Sequence, residues 1–168
     1  MLTLETERLI LTACPEQVAK AAYAGKRQLE VLVGAKIAEK WLEDEGRGLL
    51  NYYWYMVSRD TDLMGYGLWL IVHRADQMMI GTAGFKGKPD ENGGIEIGYG
   101  IDAAYRRQGY TYEAARALID WGFAQSGVTR VTADCLTTNH GSIRVLEKLG
   151  MTRTGMAGSY IQWRLDKA

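Results

Sequence analysis

The sequence predicts a mixed α/β three-layer sandwich, one domain over residues 1–168, and three observations lead to it. Helical periodicity dominates the chain between Pro15 and Val57. From Gly67 onward, runs rich in β-formers recur with Gly, Pro, Asp and Asn between them. Two further helical stretches interrupt those runs after the middle of the chain. One long helical segment before a sheet and two helices within it give six to seven strands with helices on both faces.

In order, Leu9-Ile-Leu11 reads as a first strand, closed by Ala13-Cys-Pro15, where proline ends regular pairing. Pro15 to Ala24 and Gln28 to Glu45 read as helix, the second with Val31, Ala35, Ala38 and Leu42 as its apolar positions. Gly46-Arg-Gly48 is expected to break it. Leu49, Leu50, Tyr53, Trp54 and Val57 form the stripe of a third helix, so the aromatic run Tyr52-Tyr-Trp-Tyr55 reads as core packing rather than base stacking. Gly67–His73 and Met78–Phe85 read as a hairpin turning at Arg74–Gln77. A loop from Lys86 to Gly94 leads to a strand over Ile95–Ile101. A helix over Thr111–Gln125 buries Ala114, Ala115, Leu118, Ile119 and Gly122, with Gly127 as its C′ residue. Val128–Leu136 reads as strand, Asn139–Leu149 as helix, and Met151–Met156 with Tyr160–Leu165 as the last strands.

Lys plus Arg equals Asp plus Glu, 20 against 20, which removes the electrostatic case for nucleic acid or an anionic membrane as partner. The longest apolar run, Leu68–Val72, is far too short to span a bilayer. Cys14 and Cys135 have no metal-binding spacing, and His73 and His140 complete no familiar cluster, so no metal is expected. Two separated cysteines without a secretory start fit a reducing, cytoplasmic setting with no structural disulfide. The protein is expected as a monomer or homodimer.

The most informative stretch runs from Gly94 to Arg116. It reads as a buried strand, a loop carrying Arg106 and Arg107, and the head of a helix. The first N–H groups of a helix lack intrahelical partners and carry partial positive charge, so this arrangement attracts a phosphate. Gly109 lets the backbone approach an anion and adopt dihedrals that other residues resist. Thr111 is the expected N-cap, and Glu113 falls in the first turn.

Arg106-Arg-Gln-Gly109-Tyr-Thr111 resembles the acyl-CoA pyrophosphate loop of the GNAT-type N-acetyltransferases. Thr111 departs from the family's small residue at its position. Glu96–Tyr99, Glu113-Ala114 and Asn139–Met151 are similar to the corresponding family segments in the same order. Leu4–Leu11 is similar to the opening strand of the branch that includes ribosomal-protein N-terminal acetyltransferases. The resemblance implies acetyl-CoA as cosubstrate, with Arg106, Arg107, Gln108, Gly109, Tyr110 and Thr111 around its pyrophosphate. It also implies that Tyr99, Gly100, Ile101 and Asn139 hold the pantetheine arm. A plain N-cap role is the competing reading for Asn139.

Glu96 shares a strand face with Gly98 and Gly100 and is the expected base for an amine acceptor, ion pairing being the alternative. Ser142 is the second expected catalytic residue, because Leu146 stands where many relatives carry a tyrosine that protonates the departing thiolate. The resemblance implies a primary amine as acceptor, either a protein N-terminus or a small molecule. The reading from a different class is a non-catalytic acyl-CoA-binding or sensory domain on the same scaffold.

Overall fold

A computed structural model describes residues 1–168. β1 (Thr3–Glu5) and β2 (Leu9–Ala13) form a hairpin, followed by helices α1 (Glu16–Lys20) and α2 (Lys26–Val33) and by the short strand β3 (Lys36–Ile37). An unbroken helical segment comes next: α3 (Glu39–Trp41), a π-helical turn (Leu42–Gly46) and α4 (Arg47–Val57). β4 (Leu68–His73), β5 (Met78–Phe85) and β6 (Gly94–Ile101) make an antiparallel meander. The chain ends with α5 (Tyr110–Ala124), β7 (Arg130–Leu136), α6 (His140–Lys148), β8 (Thr152–Ala157) and β9 (Tyr160–Asp166).

The strands build one mixed sheet in the order β1-β2-β4-β5-β6-β7-β9-β8. β6 and β7 are parallel; β4 occupies one edge of β5, and on the other β3 lies parallel to Met78 and Met79, the stretch that β6 does not reach. Alternation along the strands sends side chains to two cores. Leu9, Trp69, Ile95, Ile97 and Trp163 meet Leu118 and Ile119 of α5 and Leu146 of α6 on one face. Leu70 and Met79 meet Leu29, Leu42, Leu50 and Tyr53 on the other. Each fully buried aliphatic side chain such as Leu118 stabilises the fold by about 1.5–3 kcal/mol.

The expected α/β sandwich is present, with nine strands instead of six or seven. The additional two, β1 and β3, are too short for a period to show. The expected helix from Gln28 to Glu45 ends at Gly34, whose φ of 73° is left-handed, and Val31 is 75% exposed instead of inward. Conversely, Gly46-Arg-Gly48 does not break the chain's helix. The widened π turn carries it through, and Gly46 is required by close approach, since a Cβ there would stand 2.5 Å from the Trp41 ring. The aromatic run divides: Tyr53 is buried, whereas Tyr52 is 63% exposed. α5 buries the five expected residues but is entered through Gly109 (φ 85°), not capped by Thr111. Gly127, with φ of 81°, lies two residues beyond the cap Gln125 and belongs to the turn into β7.

Candidate functional site

The loop between β6 and α5 is tightly determined. A single 3-10 turn over Ala103–Tyr105 follows β6, capped by the Asp102 carboxylate, which accepts from Ala104 N–H at 2.9 Å. Arg107 and Gly109 both take left-handed dihedrals, φ 62° and 85°. The resulting curl leaves the backbone N–H groups from Arg107 through Tyr112 without any protein acceptor. Successive unpaired N–H groups at the head of a long helix are an anion site by construction. Arg107 adds an exposed side chain with no ionic partner. Arg106 does something else: its Nε donates to the Ile101 carbonyl at 2.9 Å, tying the loop back to the end of β6.

Two braces hold the curl from outside, and neither was visible in the sequence. Arg8 donates to the Gln108 carbonyl at 2.9 Å, lies over the Tyr110 ring and pairs with Glu113 at 2.7 Å. Glu113 also accepts from the Thr6 hydroxyl at 2.6 Å and the Arg8 N–H at 2.9 Å. Burial works to raise the Glu113 carboxyl, but the bonds from Thr6 and Arg8 outweigh it and hold it below the usual carboxylate range. The second brace is a chain of side chains: Tyr110 hydroxyl to His73 at 3.0 Å, His73 to Asp76 at 3.0 Å, and the Tyr105 hydroxyl donating to Asp76 at 2.8 Å. That bond to Asp76 pushes the Tyr105 phenol up to about 12.

β6 and β7 pair only over Gly94–Glu96 and Arg130–Thr132, although both strands continue. A gap opens beyond Glu96. Lys86 N–H donates to the Glu96 carbonyl across β5 and β6, so by alternation Gly98 and Gly100 also turn their backbone groups toward β5, whereas Tyr99 and Ile101 turn theirs into the gap. Arg106 occupies the Ile101 carbonyl. Of the three residues expected to offer unpaired backbone groups, Tyr99 therefore does so in full, Ile101 through its N–H, and Gly100 does not. What Gly98 and Gly100 supply is room, for a Cβ at either would have no heavy atom within 4 Å.

The Tyr99 side chain turns toward α6 and Ser142, and burial pushes its phenol up to about 12. Asn139 caps α6, its Oδ1 accepting from Ser142 N–H at 3.1 Å, so the competing cap role is realised and only its amide N–H groups remain for a ligand. Leu146 is 1% exposed and belongs to the core. On the opposite face Glu96 is ion-paired with Lys86, whose ammonium also lies 3.5 Å from Asp134. Burial opposes the Lys86 charge, yet the two carboxylates prevail and hold it above the usual lysine value. Above Gly98 and Gly100 is a cleft of about 490 Å³, walled by α4 through Leu49, Tyr52 and Met56. The cleft covers one face of β6 and the gap runs along its β7 edge, so the two meet at Tyr99.

A family model for the acetyltransferase (GNAT) domain matches residues 8–152. The chain belongs to the GNAT acetyltransferase family. Over 163 residues it is 34% identical to the uncharacterized N-acetyltransferase YjdG of Bacillus subtilis, covering 97% of each chain. Among solved structures, the ribosomal-protein-S5-alanine acetyltransferase from Vibrio fischeri shares the fold with a TM-score of 0.72 at 18% identity, over 99% of this chain and 97% of that one. RimL in complex with coenzyme A superposes with a TM-score of 0.69 at 18% identity, over 98% of each chain. The GNAT reaction class is acetyl transfer with acetyl-CoA as donor, and the partner-free N–H groups at the head of α5 fit the pyrophosphate of that donor. No helix of this GNAT protein is long and apolar enough to cross a membrane.

Proposed function

We propose that this GNAT protein transfers the acetyl group of acetyl-CoA to a primary amine by direct attack. The observation that carries the reading is the run of partner-free N–H groups from Arg107 to Tyr112, set beside the gap between β6 and β7. Pyrophosphate at that head would direct the pantetheine arm along β6, where Tyr99 has backbone groups to receive it. The amine approaches from the cleft over Gly98.

In this reading Glu96 takes the ammonium proton, directly or through a water, and Lys86 holds the carboxylate in place until the amine competes for it. The Tyr99 N–H is available to the carbonyl oxygen as negative charge builds on it, as in other oxyanion sites. The tetrahedral adduct collapses to the amide and coenzyme A thiolate. A thiol's pKa near 8.5 makes it a tolerable leaving group, so Ser142 or a water supplies the proton in place of a phenol at position 146.

The test is the pH dependence of thiol release by Glu96→Gln, measured on an acceptor whose amine pKa is about 10. The substitution is expected to slow turnover at neutral pH by about 10²-fold and far less at pH 9, where more free amine exists without a base. Acetyl-CoA affinity should be unchanged. Wild-type rates throughout would reduce Glu96 to a partner of Lys86. Acetyl-CoA binding without thiol release on any amine would favour the acyl-CoA-binding or sensory reading.

A further inference from the structure

The acetyl-transfer reading leaves the acceptor open, and the lining of the cleft narrows it. Its walls are apolar: Leu49, Tyr52 and Met56 from α4, and Leu63 from the turn after it. Its floor is bare at Gly98 and Gly100, where added side-chain atoms would meet only open space. Only two charged residues line it, Glu45 and Lys86. Lys86 is engaged by Glu96 and Asp134. Glu45 is exposed, projects from the π turn and makes neither an ion pair nor a hydrogen bond, unlike Asp44, which pairs with Lys40, and Glu39, which pairs with Lys26. The cleft therefore offers one uncompensated carboxylate in an apolar setting.

A polycation would have to set its second ammonium against Leu49, Met56 or Leu63, and stripping a charge of water without a partner is strongly unfavourable. An aminosugar would bury several hydroxyls, each needing a partner, against a lining that is mostly apolar and whose side-chain hydroxyls are those of Thr82, Tyr52, Tyr53 and Tyr99. A volume of about 490 Å³ lies toward the lower part of the range typical of small-molecule sites. We propose that the acceptor is a small primary amine bearing a single positive charge on an apolar body of one or two rings. Glu45 steers the ammonium into the cleft, and that same nitrogen is then presented to the gap at Tyr99 while the body lies over Gly98 and Gly100 against Tyr52 and Met56. This assignment rests on the acetyl-transfer reading for the cleft's role, and on the lining alone for the class of amine.

Phenethylamine, spermidine, glucosamine and a serine-initiated hexapeptide would be compared at equal concentration by thiol release from acetyl-CoA. In parallel, each would be titrated by calorimetry into the protein loaded with coenzyme A. Phenethylamine is expected to show at least tenfold higher kcat/KM than the other three, and the tightest binding. Glu45→Gln should raise its KM about tenfold with little change in kcat. Gly98→Val, at a position with room for the added atoms, should block phenethylamine while acetyl-CoA affinity stays within twofold. Preference for spermidine, glucosamine or the peptide would overturn the assignment, as would an unchanged KM in both variants. If no amine releases thiol yet phenethylamine binds best and Gly98→Val abolishes that binding, the class stands and the transfer reaction falls.

Discussion

The loop at the head of α5 and the cleft beneath α4 are built on opposite principles. In the loop, the surrounding side chains hold the backbone in place: Arg8 on one side, Tyr110, His73, Asp76 and Tyr105 on the other, and Arg106 from within. In the cleft, the floor is defined by side chains that are missing and the wall by a helix that changes its winding at Glu45. A site for phosphate must fix many weak donors at once, because each N–H is worth little unless all converge. A site for an apolar body needs only shape and dryness. The first tolerates almost no substitution, and the second can be reshaped by changing one or two residues.

The largest effect is expected where this contrast is sharpest. Gly109→Val places a β-branched residue at φ 85° with its Cβ 3.3 Å from the Arg8 guanidinium, a backbone strain of about 1–3 kcal/mol. The curl should open and acetyl-CoA binding by calorimetry should fall at least a hundredfold. Retained affinity would mean that the anion is held by Arg107 and not by the N–H array.

A smaller effect, on stability, is expected for Glu113→Gln. The charged hydrogen bonds it removes are worth about 1.5–3 kcal/mol in sheltered positions, and the exposure of Arg8 reduces this toward about 1–2 kcal/mol. Because the folded carboxyl titrates below its unfolded value, its contribution is complete above the unfolded pKa and is lost as pH falls through the folded one. The difference in Tm between the two proteins should thus be full at pH 7 and shrink on acidification below about pH 4.3. A gap that widened in acid would refute the pairing.

The smallest effect belongs to the cleft side. Gly46→Ala forces the half-buried Trp41 ring to move, at about 1 kcal/mol, the low end for overpacking, because the ring has solvent on one side. Acetyl-CoA affinity should not change, while the KM for the amine should, since Glu45 is the adjacent residue. If donor affinity changed instead, the two regions would not be independent.

The same contrast governs what could be read from the sequence. The strand, loop and helix from Gly94 to Ala124 are consecutive, and Gly109, Arg107 and the inward stripe of α5 obey local rules of dihedral, charge and period, so they were legible. The Arg8 brace joins residues 100 and 105 positions apart. The link from Tyr110 to His73 crosses from one end of the meander to a helix outside it. Neither leaves a periodic trace. The passage of the helix through Gly46 was misread because two glycines normally signal a break, and only the Trp41 ring explains one of them. Thr111 was misread for a related reason: a glycine in the left-handed region can itself admit the chain to the helix, leaving the hydroxyl nothing to cap. For Asn139 the cap is the role that depends on its own neighbours alone, and it is the one the chain adopts.

The short ladder between β6 and β7 leaves the sheet as two half-sheets stitched by three residues on each strand. An extended ligand arm lodged in the gap would act as a surrogate strand, completing hydrogen bonds that the polypeptide leaves open. Occupancy then becomes a structural cross-tie, and its contribution grows with the logarithm of ligand concentration, reaching about 2.7 kcal/mol at a hundred times Kd. In a cell rich in the donor, this protein's thermal endurance would be set partly by its own substrate supply.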